Sequence, residues 1–152
     1  MENKHDEKAF SDDIDQGLEK FVAAQRQDYP IALAEIREGR KRSHWMWYIF
    51  PQLDGLGFSD MAKRYGIRDL NQAGAYLEHP LLGSRLVEIS EVLLTHKGIG
   101  AHEIFGSPDD LKLRSSMTLF AAVPSAPPVF SKVLDEFFSG RHDIKTLGIL
   151  GL

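Results

Sequence analysis

The chain has 152 residues, 18 basic against 22 acidic, a net charge of −4 and no cysteine. That length suits one domain able to bury its own core, and the missing cysteine excludes disulfides, thiolate metal sites and a cysteine nucleophile while suiting a reducing cytoplasm. The acidic balance disfavours nucleic acid, so no tight binding to DNA or RNA is expected, and no apolar run is long enough to span a membrane.

Residues 1–10 are charged rather than apolar, which is the wrong pattern for a signal peptide, and they read as a disordered tail ahead of a single domain over 11–152. From Ser11 to Arg26, Ile14, Leu18, Phe21, Val22 and Gln25 recur at helical spacing. Tyr29-Pro30 is expected to interrupt this helix and start a second one, closed by Gly39. The turn Arg40-Lys41-Arg42 then runs into Trp45-Met-Trp-Tyr-Ile-Phe50, six large apolar or aromatic residues that hold both tryptophans. With helices all around it, this run is read as a helix of about two turns at the centre of the core, capped by Ser43 and ended by Pro51.

Beyond Pro51, Ser59 can cap a short helix ending at Gly66. Asp69 and Gln72 pair as in a capping box, and Pro80 opens a helix whose Leu82, Leu86, Ile89 and Leu93 share one face. A single turn around Glu103 to Phe105 precedes Ser107-Pro-Asp-Asp110, a helix start with a cap, a proline and two first-turn acids. Pro124 to Pro128 resets direction before an amphipathic helix closed by Gly140, and Asp143 caps the last helix. The sum is an all-α fold of about ten helices around a short buried central one.

Two stretches could carry chemistry. Three cations before a serine-capped helix could receive an anion through Arg40, Arg42, the Ser43 hydroxyl and free backbone N–H groups, or could be a solvated turn. His44 in that first turn suits a neutral imidazole or simple packing, Trp45 and Trp47 either fill the core or offer a face beside the basic turn to stack a base or sugar, and Gln52, after the central helix, is a further candidate for ligand contact. In Asp109 to Phe120, Leu113, Met117 and Phe120 mark the core face, Ser116 falls among them and must be paired, and Lys112 sits at the edge. Lys112 and Ser116 thus either floor a polar pocket or complete helix packing. Gln25, on an otherwise apolar face, has the same two readings. The six histidines lack zinc-ligand spacing, no phosphate loop or nucleophile elbow exists, and Asp109 and Asp110 are accounted for by the helix dipole. No metal or cofactor is expected.

The stretches 39–53 and 109–120, together with Phe21-Val-Ala-Ala-Gln25, Met61-Ala-Lys-Arg-Tyr-Gly66 and Tyr76-Leu-Glu-His-Pro80, resemble DUF1810, a bacterial family of unknown function grouped with the Rv1873-like fold. The resemblance implies a multihelical domain with a short buried central helix and brings no reaction or ligand. The label calpastatin carried by members does not fit, since an inhibitor of calpain is expected to be a long disordered chain and this composition describes a globule. Two functional expectations follow: a site beside the central helix for a small anionic or nucleotide-like ligand, or an interaction domain without chemistry of its own.

Overall fold

A computed structural model describes residues 17–152 in full and, for residues 2–16, their helical assignment alone. The tail expected over residues 1–10 lies outside the fully described residues. The elements are α1 (Glu2–Glu38), α2 (Met46–Ile49), α3 (Asp60–Arg64), α4 (Leu70–Glu78), α5 (Leu82–Leu93), α6 (Ala101–Phe105), α7 (Asp109–Ala121), α8 (Val129–Phe138) and α9 (Ile144–Leu150). Among the described residues nine helices therefore stand where about ten were expected, and the fold is all-α.

The count is lower by one because the two helices expected on either side of Pro30 are a single helix. The chain does not break there, and α1 passes straight through it. A proline inside a helix removes one hydrogen bond and crowds the carbonyl four residues earlier. Here Pro30 is exposed, so water can serve that carbonyl, while Tyr29, Ala32 and Ile36 continue the buried stripe of Leu18, Phe21 and Gln25 on the inner face. Burial of that continuous stripe outweighs the local penalty. The helix ends as its sequence foretells, with Gly39 at φ +80° donating to the Ile36 carbonyl at 2.9 Å.

The central segment is shorter than expected, one turn rather than two. Its N-cap is Trp45, without a side-chain cap, so Ser43 does not cap it. Phe50, at φ −122° and ψ 74° ahead of Pro51, leaves the helix as a residue before proline should. Trp45, Met46, Tyr48, Ile49 and Phe50 are buried, and Trp47 is half-buried. Trp45, Phe50 and Phe105 pack as an aromatic cluster, with Phe105 edge-on to both.

Helix α7 lies deepest. Every residue from Ser115 to Phe120 is buried, so the helix is enclosed on several sides, and it packs against α4, α6, α8 and α9, while α1 packs against α2 and α5. A helix enclosed on several sides needs small residues to let neighbours approach, and its Ser115 and Thr118 hydroxyls are satisfied by bonding back one turn, to the carbonyls of Leu111 (3.2 Å) and Arg114 (2.8 Å). Local caps hold several other ends as expected: Ser59 accepts from the Ala62 amide, Asp69 from that of Gln72, and Asp143 from that of Thr146. Two details differ. Ser107 does not cap α7, whose N-cap is Pro108, and α8 ends through left-handed Ser139 (φ 56°) before Gly140. One feature is not helical: Leu53 and Ile67 form an isolated parallel bridge that ties the loop after α2 to the segment before α4.

Candidate functional site

The basic turn is built around a carboxylate from its own chain. Glu35 sits on the last turn of α1, only 8% exposed. It accepts from the Arg42 amide (2.8 Å), the Ser43 amide (3.0 Å), the Ser43 hydroxyl (2.5 Å) and the Trp45 indole N–H (2.9 Å). Burial pushes its pKa up, but these four donors outweigh that and hold it at about 2, so Glu35 is ionised at neutral pH. The turn's amides and the Ser43 hydroxyl, the groups expected to meet an external anion, thus face an internal one.

Lys41 is the inward member of the cationic triplet. Its side chain is 7% exposed; its Nζ pairs with Asp109 at 2.9 Å, donates to the Ser43 carbonyl and lies 4.9 Å from the Trp45 ring centroid. Asp109 also reaches Lys112 at 3.5 Å, and Lys112 Nζ lies 5.3 Å over the ring of Trp47. One carboxylate in the first turn of α7 therefore joins the two stretches that the sequence singles out, Lys41 and Trp45 on one side, Lys112 and Trp47 on the other.

Arg40, Arg42 and His44 point to solvent. Arg42 forms an exposed pair with Glu38 one turn back on α1 (2.7 Å), whereas Arg40 has no ion pair among the described residues. The His44 side chain is exposed, and its carbonyl lies 3.3 Å from the hydroxyl of Tyr48, which donates to Asp28. Burial, then the Asp28 contact, raises the Tyr48 pKa far above its ordinary value, so the phenol stays protonated. Trp47 and Gln52 line a slot of about 10 Å³, the room of one water molecule, closed on its other sides by Leu53, Gly57, Ala62, Tyr65 and Gly66. Gln52 is half-exposed with its backbone carbonyl engaged by the Ile67 amide at 2.8 Å.

Ser116 does not join this group. It is fully buried on α7, and its hydroxyl has no partner among the described residues, contrary to the pairing expected of it. Gln25 is satisfied instead: its amide donates to the Tyr48 carbonyl (2.7 Å) and the Tyr76 hydroxyl (3.0 Å) and accepts from Arg85 at 3.4 Å. It locks α1 to α2, α4 and α5. Of the candidate residues, then, Trp47 and Gln52 share the lining of one slot and Lys112 lies over the Trp47 ring, Arg40, Arg42 and His44 stay at the surface of the adjoining turn, Ser43 is turned inward and Ser116 is separate.

Glu35 and Asp109 are the residues that sequence reading missed as organisers. Glu35 left a signal, since it lies three residues beyond Ala32 and next to Ile36 on the buried stripe of α1, and an acid there followed by three cations asks for an internal pairing. Among the described residues no group of three acids, histidines or cysteines could hold a metal ion. No helix of the described residues is long and apolar enough to cross a membrane.

Comparison with known proteins adds a family and a close structural relative. The family model described as a protein of unknown function, DUF1810, matches residues 15–150. The crystal structure of the conserved hypothetical protein Rv1873 from Mycobacterium tuberculosis is 49% identical, with a TM-score of 0.87 over 89% of this chain and 96% of that one. Among curated proteins there is no match.

Proposed function

Because the chain belongs to the DUF1810 family, whose description assigns no activity, we propose from the geometry that it binds a small anionic ligand carrying a planar group, seated where Trp47, Gln52 and Lys112 meet. The observation that carries the reading is Lys112 poised 5.3 Å over a half-buried tryptophan ring. A cation beside an aromatic face offers charge to a phosphate or carboxylate and a stacking surface to a ring, the two features of a nucleotide-like molecule. Gln52, half-buried, lines the slot beside Trp47, and Arg40 and Arg42 extend to solvent from the turn that Lys41 pins against the start of α7. The ligand rests on this face rather than inside the protein, since the slot beneath holds about one water.

The alternative, an interaction domain with no chemistry, draws on a different observation: the most anion-ready groups of the turn are already taken by Glu35. A thermal-shift series separates the two. Wild type, Lys112→Ala and Arg42→Ala are melted against phosphate, ADP-ribose and common nucleotides, with chloride as the ionic-strength control. At one hundred times its Kd a ligand stabilises by about 2.7 kcal/mol, which for a chain of this size raises Tm by roughly 5–10 °C. That rise should appear in wild type and shrink in Lys112→Ala. Arg42→Ala, which loses only an exposed pair, should melt within the range of an ordinary surface change. If no ligand stabilises wild type beyond chloride, the interaction domain becomes the reading.

A further inference from the structure

The other side of α7 carries a second cationic surface. Lys112 and Arg114 are two positions apart and so point in nearly opposite directions on the helix, one toward Trp47 and the other toward α9. Between α7 and α9 runs an open groove of about 800 Å³. Its charged lining is Arg114, Arg141 and Lys145 against one carboxylate, Asp143, with His142 beside them.

Asp143 offsets one of the three cations and leaves the groove with a net positive charge. Its Oδ2 is engaged as the cap of α9, accepting from the Thr146 amide (3.1 Å) and hydroxyl (2.5 Å), and its Oδ1 is 3.9 Å from Arg114 Nη2, longer than a hydrogen bond. Arg114 is therefore ion-paired with Asp143 at long range, yet its guanidinium makes no hydrogen bond among the described residues. Its Nε is buried and has no acceptor among the described residues, although a guanidinium carries five N–H donors suited to a carboxylate or phosphate. The same groove is apolar along its rim, where Ile144 is 82% exposed and Leu111 50%. Cations with unfilled donors beside exposed aliphatic side chains match an anion that has an apolar body.

We infer that the α7–α9 groove is a binding site for a small amphiphilic anion, its carboxylate or phosphate head on Arg114 with Arg141 and Lys145 around it, and its short aliphatic tail along Leu111 and Ile144. The site is separate from the Trp47 mouth and does not depend on it. A Kd of about 1 mM or tighter suffices for detection and suits a few contacts on an open surface.

The experiment is a ¹H–¹⁵N correlation titration of the full chain with octanoate and octyl phosphate, which distinguish the two head groups, and with acetate and 1-octanol as controls for charge and tail alone. Saturable shifts confined to residues lining the groove are expected for one or both amphiphiles, with acetate at least tenfold weaker and octanol not saturating. Arg114→Gln should weaken binding tenfold or more, and Ile144→Ser, at an exposed position, should weaken octanoate several-fold while leaving acetate unchanged. Should Arg114→Gln fail to fold, the exposed double variant Arg141→Ser with Lys145→Ser takes its place, with a loss of at least several-fold expected. Shifts scattered outside the groove, octanol binding as well as octanoate, or undiminished binding in these variants would overturn the inference.

Discussion

Glu35→Gln is the sharpest probe of how the basic turn is held. In the folded protein the Glu35 carboxyl is held at about 2, against an ordinary value of 4.5. Each tenfold change in proton affinity is about 1.4 kcal/mol, so that gap amounts to roughly 3 kcal/mol of stability at neutral pH. The carboxylate is only 8% exposed, so solvent screening removes little of it. Because the folded value lies below the unfolded one, this stability is fully present above about pH 4.5 and fades as pH falls toward 2. Two-state linkage puts the loss at about 1 kcal/mol by pH 4 and about 2 kcal/mol by pH 3. Glutamine preserves size and one acceptor oxygen, but it removes the charge and turns an amide N–H₂ toward donors that need an acceptor. Urea unfolding of wild type and Glu35→Gln at pH 7, 5, 4 and 3 is the assay. The difference between the two proteins cancels the titration of every other carboxylate, and it should be about 3 kcal/mol at pH 7 and shrink to about 1 kcal/mol at pH 3. A difference that stays constant across this range, or one below about 1 kcal/mol at pH 7, would refute the reasoning that four donors converge on an ionised Glu35.

Two further outcomes follow from packing. Trp45→Ala should cost about 3–5 kcal/mol in chemical denaturation, since the ring is 1% exposed and its N–H is bonded to Glu35, whereas half-buried Trp47→Ala should cost distinctly less; equal losses would contradict the placement of the two rings. Gly83→Ala should destabilise by about 1–3 kcal/mol or more, because an added Cβ would lie 2.0 Å from the Leu77 carbonyl oxygen, a backbone atom that cannot step aside without moving the end of α4, and a neutral result by thermal melting would show that α4 and α5 are not so closely apposed.

Sequence alone determined the features that depend on neighbours a few residues apart. The caps at Ser59, Asp69 and Asp143, the left-handed glycine at 39 and the exit of Phe50 before Pro51 all involve atoms within one turn, so residue order is enough to place them. The stripes of α5 and α8 were legible for the same reason, since helical period converts order directly into a face. Tertiary structure decided whatever sets a local preference against a distant partner. Pro30 has a local reason to end a helix, and α1 continues because Tyr29 and Ile36 are buried against elements far along the chain. Ser43 has a local reason to cap α2, and it bonds Glu35 instead, eight residues back and brought close by the turn. Lys41 and Asp109 meet across 68 positions, at a distance that no spacing rule reaches. The approach of Lys112 to the Trp47 ring belongs to this second kind, because which face of a buried helix remains open depends on how the other helices close around it.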